Sequence, residues 1–237
     1  MPLPQIVTPE FSTVLPSTGE EIFFRPFLVK EEKILLMAQE GKDPKEIQRA
    51  IVNILQQCLK SPIEVGSLPL FDIEWLFLQL RAKSVGEVID VRLSHVEKED
   101  CGHTNTIQVP IQDIHVIKKD NHSDIIEIDK DTGIGIKMKY PSLELFEKFD
   151  LTNQTYEQVF DLMIESIDSV YDKDQVYQDF TKPEIEQFVG NLDQKHLKKF
   201  MDFFDTMPKL EHEIKYKCEK CGEEVTTKIS GLMDFFI

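Results

Sequence analysis

The sequence predicts an α+β protein: a mixed helical body with antiparallel β segments and a zinc-ribbon-like pair of β-hairpin knuckles. Three observations predict it. Helical periodicity occurs in two separate stretches, apolar–polar alternation occurs in two others, and each alternating stretch carries a Cys-Gly pair. The 237 residues, 41% hydrophobic and 30% charged, are typical of a globular chain with its own core. No run of about 18 apolar residues is present, so we expect no membrane span.

The order of these stretches divides the chain into four predicted segments. Residues 1–86 form an N-terminal arm and helical region, and residues 87–140 a β-rich region with the first knuckle. Residues 141–208 form a second helical region, and residues 209–237 a knuckle hairpin with an apolar tail. Because no long linker separates them, we expect a compact body with a small appended module.

The first segment begins with an extended arm. Four prolines between positions 2 and 16 disfavour a helix there. Residues 21–27 alternate as a short strand, and Pro26 suggests that this strand lies at a sheet edge. Residues 30–38 have a helical pattern.

Two stronger helix signals follow. Asp43 can cap the first of these helices, Pro44 suits its first position, and Glu46 can complete a capping box. Its apolar stripe comprises Ile47, Ala50, Ile51, Ile54, Leu55 and Cys58. Residues 71–83 are apolar almost all round, which is typical of a helix that is buried or held between partners.

The later elements alternate between the two patterns. Strand alternation predicts strands at 88–93, 106–111 and 134–138. Helical periodicity predicts helices at 154–170, 181–188 and 193–206, the second opened by a Thr-x-x-Glu capping box. A β-hairpin at 210–229 completes the chain before its tail.

The sharpest motif is Cys-Glu-Lys-Cys-Gly at residues 218–222, at the tip of the final hairpin. Its glycine permits a tight turn, and its spacing lets Cys218 and Cys221 face one tetrahedral ion. A structural zinc site needs four ligands, so a second pair must come from elsewhere.

A weak internal repeat supplies that pair. When Cys101-Gly102 is placed over Cys221-Gly222, the residues before each turn align as well, and His95 falls where the second copy has Cys218. The gap from His95 to Cys101 is longer than in the second knuckle, so the turn must bulge. The predicted zinc ligands are His95, Cys101, Cys218 and Cys221, with His103 as the alternative nitrogen ligand.

Two other interpretations of the cysteines stay open. Cys-x-x-Cys can be a redox dithiol, although no thioredoxin-like βαβ pattern surrounds this one. The motif can also be a metal-free remnant, because the upstream half lacks its own Cys-x-x-Cys. With zinc bound, all four coordination positions are filled by protein, and the site is architectural and not catalytic. Cys58, on an apolar helix face, is expected to be a buried thiol.

The composition and missing motifs exclude several classes of function. A formal net charge of −16 disfavours nucleic acid as a partner and favours proteins. No P-loop, GxGxxG, HExxH or GxSxG motif occurs, and we therefore expect no enzyme activity. His115 and His122 are interpreted as surface histidines.

Several unusual strings carry a resemblance to a known family. Residues 2–10 read Pro-Leu-Pro-Gln-Ile-Val-Thr-Pro-Glu, and residues 24–33 read Phe-Arg-Pro-Phe-Leu-Val-Lys-Glu-Glu-Lys. Residues 70–77 read Leu-Phe-Asp-Ile-Glu-Trp-Leu-Phe, and residues 80–87 read Leu-Arg-Ala-Lys-Ser-Val-Gly-Glu. With these strings the chain resembles the baseplate hub assembly proteins of T-even-like contractile-tailed phages. The resemblance is strongest over the first 90 residues and continues through the knuckles to the end.

The resemblance implies a non-enzymatic role in assembling or forming the central hub of the baseplate. The implied partners are baseplate hub and other tail proteins, with no membrane or nucleic acid. The implied location is the host cytoplasm during assembly, and the virion tail if the protein stays in the particle. Relatives often carry a fuller cysteine pair in the first knuckle, and His95 with its wide spacing departs from that pattern.

The apolar C-terminal tail is the predicted partner-binding element, comprising Leu232, Met233, Phe235, Phe236 and Ile237. Packing of this tail on the last hairpin is the alternative. A competing function is a zinc-ribbon adaptor in transcription or nucleic-acid processing, which the acidic charge opposes.

Overall fold

The computed structural model describes residues 7–41, 43–95, 101–148, 155–231 and 234. The helices are α1 (Val29–Gly41), α2 (Pro44–Cys58), α3 (Leu70–Ser84), α4 (Leu143–Lys148), α5 (Tyr156–Glu165), α6 (Lys182–Gly190) and α7 (Gln194–Thr206). The strands are β1 (Phe11–Val14), β2 (Glu21–Phe24), β3 (Val88–Ser94), β4 (Thr104–Pro110), β5 (His115–Ile117), β6 (Ile125–Asp129), β7 (Ile134–Met138), β8 (Ile167–Tyr171), β9 (Val176–Tyr177), β10 (Lys209–Lys217) and β11 (Glu224–Ser230). These helices and small antiparallel sheets confirm the predicted α+β class.

The chain forms two compact units. Unit 1 comprises residues Met1–Val65, Phe71–Ile117 and Lys209–Ile237, and unit 2 comprises Gly66–Leu70 and Lys118–Pro208. Among the described residues, no helix is both long and apolar enough to cross a membrane. The four-segment division stays a prediction.

An apolar core of unit 1 packs helix α3 against the two hairpins that carry the cysteines. The antiparallel pairs are β1–β2 and β3–β4, and a third sheet has the order β11-β10-β5. Helix α3 contributes Leu78 and Ala82 to a core whose other members lie on or beside β3, β4, β10 and β11. The buried strand residues of this core include Ile89, Val91, Val109, Ile214 and Ile229. The two hairpins that carry the cysteines are thus packed in one core.

The Asp43 cap, the Pro44 start and the apolar stripe of α2 are confirmed, and among the described residues no capping-box contact from Glu46 is present. The Asp43 side chain caps α2 by accepting a hydrogen bond from the Lys45 N–H at 2.9 Å. All six residues of its predicted apolar stripe are buried. Helix α3 is buried on almost every side, including Asp72, whose carboxylate accepts hydrogen bonds from the backbone N–H and hydroxyl of Ser17.

Unit 2 packs an antiparallel sheet of order β6-β7-β8-β9 with helices α5, α6 and α7. The predicted Thr181–Glu184 capping box opens α6. Asp193 caps α7 by accepting from the N–H groups of Lys195 and His196. Phe200 and Phe203 of α7 are buried in the core of this unit.

The predicted helix at 154–170 was wrong in its last five residues. Helix α5 ends at Glu165, and residues 167–171 form β8. Ile167 pairs with Met138 and Val170 with Ile136 across the β7–β8 ladder. Branched side chains favour a strand once a partner strand is available, and periodicity alone did not reveal that partner.

The other differences concern short strands. Residues 11–14 of the proline-rich stretch form β1, paired with β2. Strands β5, β6 and β9 were not predicted, because each shows at most five residues of weak alternation. Residues 2–6 of the predicted arm lie outside the described residues.

Candidate metal centre

The internal repeat is reproduced in the pairing of the two cysteine hairpins. At the mouth of the first turn Ser94 pairs with Thr104, and at the second Lys217 pairs with Glu224. The offset between equivalent residues is therefore 123 on the first strand of each hairpin and 120 on the second, as in the sequence alignment. The two hairpins are structural copies.

The turns themselves are equivalent. The N–H of His95 donates to the carbonyl of His103 at 2.8 Å, and the N–H of Cys218 donates to the carbonyl of Glu223 at 2.8 Å. Both turns contain a glycine with positive φ, +53° at Gly102 and +73° at Gly222. Residues 96–100, where the extra length of the first turn falls, lie outside the described residues.

The turns bring the four predicted ligands together. The Sγ atoms of Cys101 and Cys218 are 3.7 Å apart, and Cys221 Sγ lies 3.4 Å from His95 Nδ1. All four ligand atoms lie within 4.8 Å of one another. His95, Cys101 and Cys218 are buried, and Cys221 is partly exposed. The group could hold a metal ion.

Two of the ligand–ligand distances match those of tetrahedral coordination. Metal–ligand distances of about 2.3 Å for sulfur and about 2.0–2.1 Å for nitrogen place two sulfurs about 3.8 Å apart and a sulfur and a nitrogen about 3.5 Å apart. The observed 3.7 Å and 3.4 Å agree with these values. Three thiols and one imidazole are also the donor types that borderline-soft ions prefer.

The two buried thiols differ in acidity. Hydrogen bonds from the Cys221 N–H, the Lys220 N–H and the His95 side chain lower the pKa of Cys218 to about 5, against the opposing effect of burial. At Cys101 the His103 N–H lowers the pKa, but burial and the neighbouring Cys218 and Cys221 outweigh it, so that the pKa is raised overall. The lowered pKa favours the thiolate form of Cys218, which is the form that binds a cation.

Groups around the four ligands tie the two hairpins together. The Lys220 ammonium donates to the carbonyl of Cys101 at 2.8 Å. The Glu223 carboxylate lies 4.0 Å from His95 Nε2, on the side of the ring away from Cys221. A third group, Asn105, was not predicted from the sequence; it is fully buried beside Cys218. Its signal was available, since a polar residue stands at a strand position that aligns with Val225 in the repeat.

The alternative ligand His103 is not among the four residues that cluster. Its Nε2 lies 3.7 Å from the Glu219 carboxylate, and its side chain is 34% exposed. The structure therefore brings together His95, Cys101, Cys218 and Cys221, without the alternative ligand.

Cys58, His115 and His122 lie outside the four-residue cluster. Burial raises the pKa of Cys58 to about 11, as expected of an inert thiol in the core. His115 is exposed, as predicted, but the surface interpretation of His122 was wrong. His122 is 8% exposed, and its ring nitrogens contact the hydroxyls of Thr206 at 2.9 Å and Tyr140 at 3.0 Å. The tail residues Leu232, Met233, Phe235, Phe236 and Ile237 lie outside the described residues.

Comparison with known proteins identifies a family. No curated protein and no solved structure matches the chain. The family described as T4 bacteriophage base plate protein matches it over residues 8–237, which takes in both hairpins and both units. The chain therefore belongs to the T4 bacteriophage base plate protein family.

Proposed function

We propose that this chain is a non-enzymatic protein that assembles or forms part of the central hub of the contractile-tail baseplate, acting through protein–protein contacts. The observation that carries the proposal is the family match over residues 8–237. Base plate proteins of phage tails act by assembling with other tail proteins, and the strings at residues 24–33 and 70–77 point to the hub as the part concerned.

The ion at the cysteine cluster is zinc in this proposal, and its role is architectural. Four side chains fill a tetrahedral shell, so no coordination position stays open for water or substrate. Bound there, the ion supplies a cross-link between hairpins that lie far apart in the sequence. His95 and Cys101 hold it from the first hairpin, and Cys218 and Cys221 hold it from the second.

The surface of helix α1 supports a role in protein contacts. Glu31 is the one residue of α1 that is fully buried, although the helix carries the apolar run Ile34–Met37. Leu36 is 53% exposed and Met37 is 61% exposed. Ile34 and Leu35 are partly buried, so the accessible part of the run is Leu36 and Met37, a pair of adjacent apolar side chains that a partner could cover.

The apolar tail is the second proposed contact. Deleting residues 232–237 should weaken association with hub proteins and leave the melting temperature of the body nearly unchanged. A matched control is the substitution of the same residues by Ser and Gly, which keeps the chain length and removes the apolar side chains. Full assembly by both variants would argue against the tail as a docking element.

The partners in this proposal are hub and other tail proteins, met in the host cytoplasm during assembly. The family match gives no support to a zinc-ribbon adaptor acting on nucleic acid, and a net charge of −16 opposes one.

The test is a phage in which this gene carries a nonsense mutation, grown in a non-suppressing host with or without the chain supplied from a plasmid. The proposal expects mutant lysates to lack complete baseplates in electron micrographs and in sedimentation profiles, with rescue by the plasmid. Normal tails without the chain would contradict the proposed function.

A further inference from the structure

The first hairpin has a buried asparagine at a position where the second hairpin has a buried valine. Asn105 is 0% exposed and lies on β4, opposite Leu93. By the offset of 120 along the second strands of the repeat, its equivalent is Val225, which is 6% exposed. A buried amide without hydrogen bonds costs about 1–3 kcal/mol in proteins, so an asparagine here requires partners that a valine does not.

Both partners of Asn105 belong to the other hairpin. Its Oδ1 accepts a hydrogen bond from the backbone N–H of Glu219 at 2.9 Å. Its Nδ2 donates to the Sγ of Cys218 at 3.7 Å. The first hairpin thus holds the Cys-x-x-Cys turn of the second one at a backbone group and at a ligand atom.

The chemistry of these partners sets the orientation of the amide. The N–H of Glu219 can only donate, so it must meet the amide oxygen. The amide nitrogen then faces the sulfur, where its N–H meets a thiolate that is a hydrogen-bond acceptor. No other orientation of the Asn105 side chain satisfies both contacts.

We propose that Asn105 is a positioning residue of the metal centre, which fixes the Cys218 thiolate for coordination by donating an N–H···S hydrogen bond and by anchoring the Glu219 backbone. This inference rests on the proposed zinc centre. A donor to a metal-bound sulfur holds it at the position where the ion needs it and supports the negative charge that it carries. Residues that orient ligands in this way typically contribute about 10- to 100-fold to metal affinity.

The discriminating variant is Asn105→Asp. It keeps the size of the side chain and an oxygen for the Glu219 N–H, but it places a second oxygen where the N–H donor faced the Cys218 sulfur. Gln108→Glu is the matched control, because it makes the same amide-to-carboxylate change at an exposed position of the same strand. Asn105→Val provides a second variant, since the equivalent position of the repeat already accommodates valine.

The measurement is the zinc dissociation constant of each purified full-length protein, by competition with a chromophoric chelator. The charge-transfer absorption of the Co²⁺-loaded proteins gives a second readout that reports directly on the thiolates. We expect Asn105→Asp and Asn105→Val to weaken zinc binding about 10- to 100-fold and to shift the cobalt–thiolate band, with Gln108→Glu like the wild type.

Two outcomes would overturn the inference, and they are distinguishable. If the wild type binds zinc and both Asn105 variants bind it equally tightly with an unshifted cobalt band, Asn105 has no positioning role. If the wild type itself binds no zinc, the proposed metal centre is wrong and the role of Asn105 falls with it. Circular dichroism of the metal-free proteins separates a folding defect from a loss of affinity.

Discussion

Substituting Cys218 by serine should remove the metal cross-link and destabilise unit 1. Cys218 is buried, with its sulfur 3.7 Å from that of Cys101 on the other hairpin. An ion that joins these two residues closes a loop across a sequence separation of 117. For a cross-link of that span, the chain-entropy estimate is about 5 kcal/mol of added stability.

That free energy sets the expected thermal shift. For domains of about 150–250 residues, 1 kcal/mol corresponds to about 2–4 °C in melting temperature. We therefore expect Cys218→Ser to lower the melting temperature of the transition that involves unit 1 by about 10–20 °C. The same variant should lose most of the bound zinc.

The assay combines elemental analysis of zinc with differential scanning calorimetry on the full-length protein. Cys58→Ala is the matched control, because it also removes a buried cysteine but leaves all four cluster residues in place. It should lose some stability as a core substitution and keep its zinc. A Cys218→Ser protein with unchanged zinc content and unchanged melting would refute the reasoning.

Three further predictions test other parts of the structure. The double variant Leu36→Glu/Met37→Glu on α1 should reduce capture of tail proteins at least tenfold in pull-down without lowering the melting temperature. Lys33→Glu on the same helix is the control and should capture them like the wild type. Equal capture by the wild type, the double variant and the control would exclude α1 as a contact. Burial, reinforced by a neighbouring lysine, lowers the pKa of His122, so the folded form takes up the proton less readily than the unfolded form. Unit 2 should therefore lose stability as pH falls below about 6.5. Chemical denaturation of His122→Phe should show a smaller loss of stability between pH 7 and pH 5. Asp72→Ala should remove both hydrogen bonds to the β1–β2 turn and lower the free energy of unfolding by about 1–3 kcal/mol. An unchanged denaturation midpoint would show that the buried carboxylate does not hold that turn.

The parts of the fold that the sequence predicted are those with local signals. Helix α2 begins where Asp43 and Pro44 place it, because the cap and the restricted φ of proline act within one turn. Helix α7 begins after Asp193, whose side chain caps it by accepting from the N–H groups of Lys195 and His196. Helix α3 was recognisable because residues 71–83 are apolar almost all round, which is typical of a helix that is buried or held between partners.

The parts that were missed depend on contacts between distant segments. Nothing local distinguishes residues 167–171 from a continuing helix, and the strand forms because β7 offers a partner. The burial of His122 requires the hydroxyls of Tyr140 and Thr206, which converge only in the folded unit. Tertiary pairing of this kind overrides local preference.

The candidate metal centre was predictable to an unusual degree because two signals agreed. The Cys-x-x-Cys turn named two ligands, and the internal repeat pointed to His95 and Cys101 more than 100 residues upstream. The residues around the ligands were not predicted. Asn105, for example, makes its side-chain hydrogen bonds to Cys218 and Glu219 of the other hairpin, and its local sequence does not reveal those contacts.

The most direct test of the central claim is affinity purification of the tagged chain from phage-infected cells, followed by quantitative mass spectrometry of its partners and of purified virions. The account predicts enrichment of baseplate hub and other tail proteins over a tagged control. Enrichment of RNA polymerase or nucleic acid, with no tail protein above background, would contradict it.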